Sequence, residues 1–221
     1  MKLSKRLLQI CHMVEPGFDH IWDCCCDHGY LGAALLKQQS AKVHFVDIVP
    51  ELMSNLSHKL NHFFADTNTW QTHCIDVSLL PLTQYQGHHL VIIAGIGGDL
   101  MSDLVTNILH AHPDQVIDIL LCPVHHQFEL RQNLSNLHLS LKAEVLIEEN
   151  GRYYEVIHVT NNADKMRPIS LTGELFWQTD CEKQKLINQQ YLHKTLAHYQ
   201  RIQKGQPLLV KNVINAYEQL L

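Results

Sequence analysis

The run His89-Leu-Val-Ile-Ile-Ala94 constrains the fold more than any other stretch of this chain. An apolar segment of strand length marks a strand covered on both faces, as in parallel sheets walled by helices. It runs into Gly95-Ile-Gly-Gly98, after which Leu100, Met101, Leu104, Val105 and Ile108 recur at helical spacing. Glycines here at least permit a sharp strand-to-helix turn. Three in four residues at a strand's C-terminal edge also let backbone approach a flat ring, and ligands collect at that edge.

The same strand–turn–helix unit recurs on both sides. Phe18, Ile21 and Trp22 predict a first strand, followed by a helix facing inward through Leu31, Ala34, Leu35 and Leu36. Val43-His-Phe-Val46 predicts a second strand ending at Asp47, with a helix behind Pro50 carrying Leu52, Leu56, Leu60 and Phe63. Residues 73–75 predict a third strand ending at Asp76, and 116–121 a fifth, stopped by Pro123. A helix through Phe128, Leu130, Leu134 and Leu137 follows it. Residues 141–148 and 153–159 flank Asn150-Gly151, the strongest short hairpin signal. The expected fold is α/β, a Rossmann-like sheet ending in a β-hairpin, as in class I methyltransferases. Other doubly wound folds share the alternation, so fold alone does not assign a function.

The most informative turn is at residues 22–31, Trp-Asp-Cys-Cys-Cys-Asp-His-Gly-Tyr-Leu. A strand that turns into a helix there is a common seat for a nucleotide-like cofactor. Asp47 follows Asp27 at the spacing that sets a carboxylate on a ribose hydroxyl. The turn lacks G-x-G-x-x-G, and Asp23, Asp47 and Asp76 make three successive acidic strand tips. Carboxylates repel phosphate but suit hydroxyls and a cationic centre. S-adenosylmethionine offers both, and at this level a phosphate-bearing cofactor stays open beside it. The candidate cofactor residues are Asp23, Cys25, Asp27, His28, Gly29, Tyr30, Asp47, Ile48, Asp76, Val77, Ala94, Gly95, Ile96, Gly97 and Gly98.

Length and composition fit one globular domain, or one with an appendage, with a real core. No run approaches a membrane span. The opening Met1-Lys-Leu-Ser-Lys-Arg6 has the positive flank of a signal peptide, but Gln9, His12 and Glu15 interrupt its apolar part. A short helix capped by Ser4 is expected instead. Seven cysteines, three of them adjacent, make no secreted disulfide framework, which points to the cytoplasm. Cys24-Cys-Cys26 with His28 is the densest metal-like cluster, yet neighbours on a strand point to opposite faces. No metal is expected, and the cysteines read as small buried residues.

After Asn161-Asn162 the pattern changes. Ile187, Tyr191, Leu192, Leu196, Tyr199 and Ile202 keep helical spacing, Gly205 and Pro207 interrupt it, and Leu209, Val213, Ile214 and Tyr217 restart it. Residues 1–162 are therefore expected to form the cofactor-binding domain and 163–221 a helical hairpin. The latter carries eight Lys/Arg against five Asp/Glu, and the former nine against seventeen. That split suits a polyanion-facing appendage on an acidic core, and equally an ordinary solvated helix pair.

The chain resembles the bacterial tRNA adenine-N1 methyltransferases that modify the D-arm adenine at tRNA position twenty-two. Ser4-Lys-Arg-Leu7 is similar to the family's opening, and Asp23-x-x-x-Asp27-His28-Gly29-Tyr30-Leu31 to its first cofactor motif. Ile93-Ala-Gly-Ile-Gly-Gly98 is similar to its glycine signature, and 131–137 and 148–156 to its closing helix and hairpin. The resemblance covers about residues 4 to 160, with the helical tail alike in kind. It implies S-adenosylmethionine as cofactor, tRNA as substrate, and a tail that helps hold tRNA. The chemistry of such a transfer then sets the expected roles: Asp47 on the ribose hydroxyls, Asp76 on the adenine amine, residues 95–98 at the reaction floor and Asp27 in an electrostatic catalytic role. Two departures stand out. The family usually has glycine where this chain has Cys25, and Cys122-Pro123-Val124 replaces a family Gln-Pro-Asn. Losing two amides there leaves His125 and His126 as the polar side chains that could take their place. Methylation of another base or a small molecule by the same fold, and a non-catalytic binder of cofactor or RNA, remain alternatives. Oligomeric state is open.

Overall fold

The computed structural model describes residues 3–65, 68–162 and 167–221, Leu209 by its backbone alone. Met1 and Lys2, the expected boundary at 163, and the side chain of Leu209 lie outside the described residues.

Seven strands make one sheet: β1 (His20–Cys24), β2 (Lys42–Asp47), β3 (Trp70–Cys74), β4 (His89–Ala94), β5 (Ile117–Cys122), β6 (Ser140–Glu149) and β7 (Arg152–Thr160). Their order is β3-β2-β1-β4-β5-β7-β6. β1 to β5 are parallel, and β7 lies antiparallel between β5 and β6. The order reverses where β1 pairs with β4, so a crevice opens at the C-terminal ends of those two strands.

The two-residue period of a strand divides β4 between two cores. Leu90 and Ile92 join Ile21, Val43 and Phe45 beneath α1 (Lys5–Met13), α2 (Tyr30–Leu35) and α3 (Pro50–Phe63). Val91 and Ile93 join Trp22, Val46 and Ile119 beneath α4 (Gly98–Ala111) and α5 (Gln127–Asn136). Local chemistry fixes the ends of these elements. The Ser4 hydroxyl accepts the Leu7 N–H at 3.2 Å, and Asn150 (φ 54°) and Gly151 (φ 72°) supply the paired left-handed residues of the β6–β7 turn. Two spacing-based expectations fail. Leu100 and Phe63 are exposed, because the buried stripes run through Met101, Leu104, Val105 and Ile108 in α4 and Met53, Leu56 and Leu60 in α3.

The tail folds into α6 (Glu182–Gln203) and α7 (Pro207–Glu218), which begins at the predicted break. Tyr191, Leu192, Leu196, Val213, Ile214 and Tyr217 pack with Phe128 of α5 and Leu146 of β6. A buried ionic knot lies at this seam. Arg131 of α5 donates through Nε to Glu155 and through Nη2 to Glu144, both at 2.6 Å. Glu144 Oε1 also accepts the N–H groups of Glu174 (2.5 Å) and Leu175 (2.7 Å), and Glu155 Oε1 the Tyr191 hydroxyl (2.5 Å). One guanidinium thereby ties the hairpin to the tail.

Candidate functional site

The crevice is built from the tips of β1, β2, β3 and β4. Asp23 is buried in β1, and its Oδ2 accepts the Gly32 N–H at 2.8 Å. A Cβ on Gly32 would fall 2.9 Å from that oxygen, so the approach of α2 to the carboxylate requires glycine. Burial is the main cause that lifts the Asp23 carboxyl to about 7, with Asp47 adding to it against the Gly32 hydrogen bond. Asp23 thus anchors α2 from below, while the turn above it faces the crevice.

That turn winds through left-handed backbone at Cys25 (φ 56°), Asp27 (φ 48°) and Gly29 (φ 68°). The Cys26 N–H reaches Val46 O at 3.1 Å and the Gly29 N–H reaches Cys26 O at 2.7 Å, which locks the loop to β2. Cys25 occupies the left-handed position at which the resembled family uses glycine. Its thiol is half-buried and pushed up to about 11 by burial and then by Asp47, Asp23 and Asp76, so it stays protonated. Asp47 bridges two loops, accepting the Asp27 N–H through Oδ2 and the Val49 N–H through Oδ1, both at 3.1 Å. Asp27 is exposed beside His28, whose ring neighbours Tyr30. Ile48 is exposed at the tip of β2. Asp76 follows β3 and accepts the Ser78 hydroxyl (2.6 Å) and N–H (2.7 Å), which hold its carboxyl below the usual range. Val77 is buried beneath it.

Across the crevice, Ala94 ends β4, and residues 95–98 turn into α4 with Gly95 at φ 88°. Turns 95–98 and 122–126 are laced together: Gly95 N–H to Cys122 O (3.2 Å), Val124 N–H to Ile96 O (3.0 Å) and Gly98 N–H to His125 O (2.9 Å). A Cβ on Gly97 would fall 2.3 Å from the His125 ring, and one on Gly98 2.3 Å from His126 O. Backbone contact therefore requires glycine at 98, whereas at 97 the exposed His125 ring would have to move aside. Gly95 is different: the nearest atoms to its virtual Cβ are those of the Arg6 guanidinium, at 3.8 and 3.9 Å. Arg6 in turn lies over the Tyr154 ring, 5.0 Å from its centroid. Composition shows Arg6 as a charge near the start of the chain and Tyr154 as one tyrosine of a strand. Their place beside Gly95 comes from the packing of α1 against β7.

The donor set can be tested against the cofactor. Residues 22–31, 47–50 and 74–79 contain no Lys or Arg and four carboxylates, of which Asp27, Asp47 and Asp76 reach the surface and Asp23 lies buried beneath them. Such a rim fits hydroxyls, an amine and a cation, and does not fit a phosphate chain. Among the described residues no group of three or more His, Cys, Asp or Glu is arranged to hold a metal. Among them also, no helix is long and apolar enough to cross a membrane.

A seven-stranded sheet with its acidic tips around a glycine turn defines a methyltransferase architecture. The family model described as a methyltransferase domain matches residues 3–157, and the chain belongs to that family. Several solved structures share the fold over the whole chain. One is an uncharacterized protein from Listeria monocytogenes serotype 4b, at TM-score 0.80 and 16% identity, covering 99% of both chains. Another is M. capricolum TrmK in complex with S-adenosyl-homocysteine, at 0.73 and 22%, covering 99% of this chain and 97% of that one. A third is the B. subtilis m1A22 tRNA methyltransferase TrmK, at 0.72 and 20%, covering 99% and 98%. At such identities the likeness establishes a shared fold. No curated protein sequence matches the chain.

Proposed function

We propose that this chain is an S-adenosylmethionine-dependent methyltransferase acting on N1 of an adenine in tRNA. The observation that carries the reading is the pair of carboxylates Asp47 and Asp76 at the ends of β2 and β3, with Asp27 exposed near them and Asp23 buried beneath the loop, on the β1 side of the switch point, opposite the open Gly95 turn that follows β4. Whole-chain likeness to a tRNA (m1A22) methyltransferase supports the substrate assignment.

Asp47 keeps lone pairs for ribose hydroxyls beyond the two loop N–H groups that it accepts. Asp76 takes the adenine amine, with Ile48 and Val77 flanking it. Cys25, Asp27, His28, Gly29 and Tyr30 shape the methionine side, over Asp23. Bound S-adenosylmethionine supplies an electrophilic methyl group on a sulfonium centre. Adenine N1 is unprotonated at neutral pH, so no side chain of this protein has to act as a base. The requirement is alignment, for which residues 94–98 offer a floor of Ala94, Gly95, Ile96, Gly97 and Gly98. The base becomes cationic as N1 is alkylated, and Asp27 is assigned the stabilisation of that charge. N1 lies on the Watson–Crick edge, so a paired or stacked adenine has to be turned out first. The tail, with its excess of Lys and Arg, is assigned to hold tRNA, and the enzyme to act in the cytoplasm. Incubation with labelled S-adenosylmethionine and unmodified tRNA should place label in RNA. Absence of label despite measurable cofactor binding would refute the reading.

A further inference from the structure

Just beyond the segment that departs from the resembled family, His126 pairs with Asp99 of α4. His126, at the start of α5, has left-handed backbone (φ 58°, ψ 45°), a conformation that is unfavourable for a side-chain-bearing residue. Strain of this kind persists where the surroundings over-determine it, and it clusters at functional positions. Here it turns the ring toward α4, where Nδ1 meets Asp99 Oδ2 at 2.5 Å. Carboxylates accept, so Nδ1 carries the proton toward Asp99, and in that tautomer the lone pair lies on Nε2. Both side chains are half-exposed or more, so neither is consumed in the core.

The surroundings say what that lone pair meets. His126 lines a groove of about 480 Å³ with His125, Arg152, Tyr154, Lys194 and Tyr199, between the β6–β7 hairpin and α6. Its cations suit phosphates, and its tyrosine rings suit stacked bases. The groove reaches the reaction floor at two points: the His125 ring covers Gly97, and Arg6 bridges Tyr154 to Gly95. In the sheet order, the carboxylate tips of β1, β2 and β3 lie on one side of β4, and this groove lies on the β5 side. On the functional reading above, this groove is the side from which the base reaches the floor, past His126.

We infer that His126, held by Asp99, accepts a hydrogen bond from the exocyclic amine of the target adenine and selects adenine over guanine. The inference rests on the functional reading above. Adenine carries its N6 donor beside N1, whereas guanine carries the O6 acceptor there, which would face the Nε2 lone pair. The amine becomes a stronger donor as the ring gains positive charge, so the contact tightens in the transition state. Asp99 is a positioning residue that fixes the tautomer.

The test is a cycle between protein and substrate. The target adenine is mapped, then replaced by purine riboside, which lacks the amine, in a tRNA ligated from two halves. Wild-type kcat should fall tenfold or more on the purine substrate. His126→Ala should fall tenfold or more on adenine, and its adenine-to-purine rate ratio, left with only the electronic effect of the amine on N1, should be at least fivefold smaller than that of the wild type. His126→Asn, whose amide oxygen accepts and whose side chain tolerates left-handed backbone, should regain part of the rate. Unchanged S-adenosylmethionine affinity in each variant, by calorimetry, shows that the fold holds. His126→Ala at wild-type rate, or with an adenine-to-purine ratio as large as that of the wild type, overturns the assignment. Wild-type protein that leaves tRNA unmethylated overturns the functional reading itself, and this assignment with it.

Discussion

Asp47 accepts the backbone N–H of Asp27 at 3.1 Å, so the acidic tip of β2 holds the cofactor loop of β1 in place. The same carboxylate is assigned to the ribose, which makes it both scaffold and ligand. Asp47→Ala should weaken S-adenosylmethionine binding tenfold or more, about 1–2 kcal/mol for charged hydrogen bonds. Asp47→Asn, which keeps one acceptor, should fall between. Unchanged calorimetric affinity in the alanine variant would remove Asp47 from the site.

Cys25 sits at φ 56°, where glycine has no steric penalty. Cys25→Gly should therefore stabilise the protein, by about 1 kcal/mol, in urea denaturation. A loss of stability would mean that thiol packing outweighs the backbone strain.

Arg131 is fully buried between Glu144 and Glu155. Arg131→Met leaves two buried carboxylates without their cation and should cost about 3–5 kcal/mol. Combining it with Glu144→Gln and Glu155→Gln, which keep acceptors for Glu174, Leu175 and Tyr191, should recover most of that loss. A cost below about 1 kcal/mol for the single variant would contradict a role of the knot in joining the tail.

Acid should destabilise the fold through a chain of imidazoles. His44 is buried against Trp22 (3.9 Å, 12° between planes), with Nε2 3.1 Å from His20 and Nδ1 2.9 Å from His73. Burial and then His73 and His20 push His44 down to about 2. His73 and His89 are lowered as well, again chiefly by burial. Their folded values lie below the unfolded one near 6.5. Unfolding therefore takes up protons, and stability that is full above about pH 6.5 is lost as pH falls. Each residue contributes a slope of up to about 1.4 kcal/mol per pH unit. Asp23 works the other way, since its raised value favours the folded state as pH falls from about 7 toward 4. Between pH 6.5 and 5 the contributions of His44 and Asp23 are similar in size and opposite in sign, so the lowered His73 and His89 tip the balance and urea midpoints should drop across that interval. A flat or rising profile would show that the histidines are not held neutral.

Much of the sheet was legible because its signals are local. The run at 90–94 needs cover on both faces, and Asn150-Gly151 sets its own hairpin. Asp47 ends β2 as its spacing predicts, but the third strand runs over Trp70–Cys74 rather than 73–75, which leaves Asp76 two residues beyond it. Long-range contacts were not legible. Arg131 sits on a helix where a solvated charge is the ordinary reading, and its two carboxylates lie 13 and 24 residues away. Asp99 and His126 are 27 residues apart and meet because two turns are laced together. Asp23 looked like a crevice carboxylate by position, yet its burial shows that it also serves α2, which spacing does not reveal.

The most direct measurement is the chromatographic identity of the nucleoside formed when the protein, S-adenosylmethionine and unmodified tRNA are combined. The account predicts 1-methyladenosine, absent when cofactor is omitted and reduced in Asp47→Ala. N6-methyladenosine, a methylated guanosine or a methylated pyrimidine in its place would contradict transfer to adenine N1.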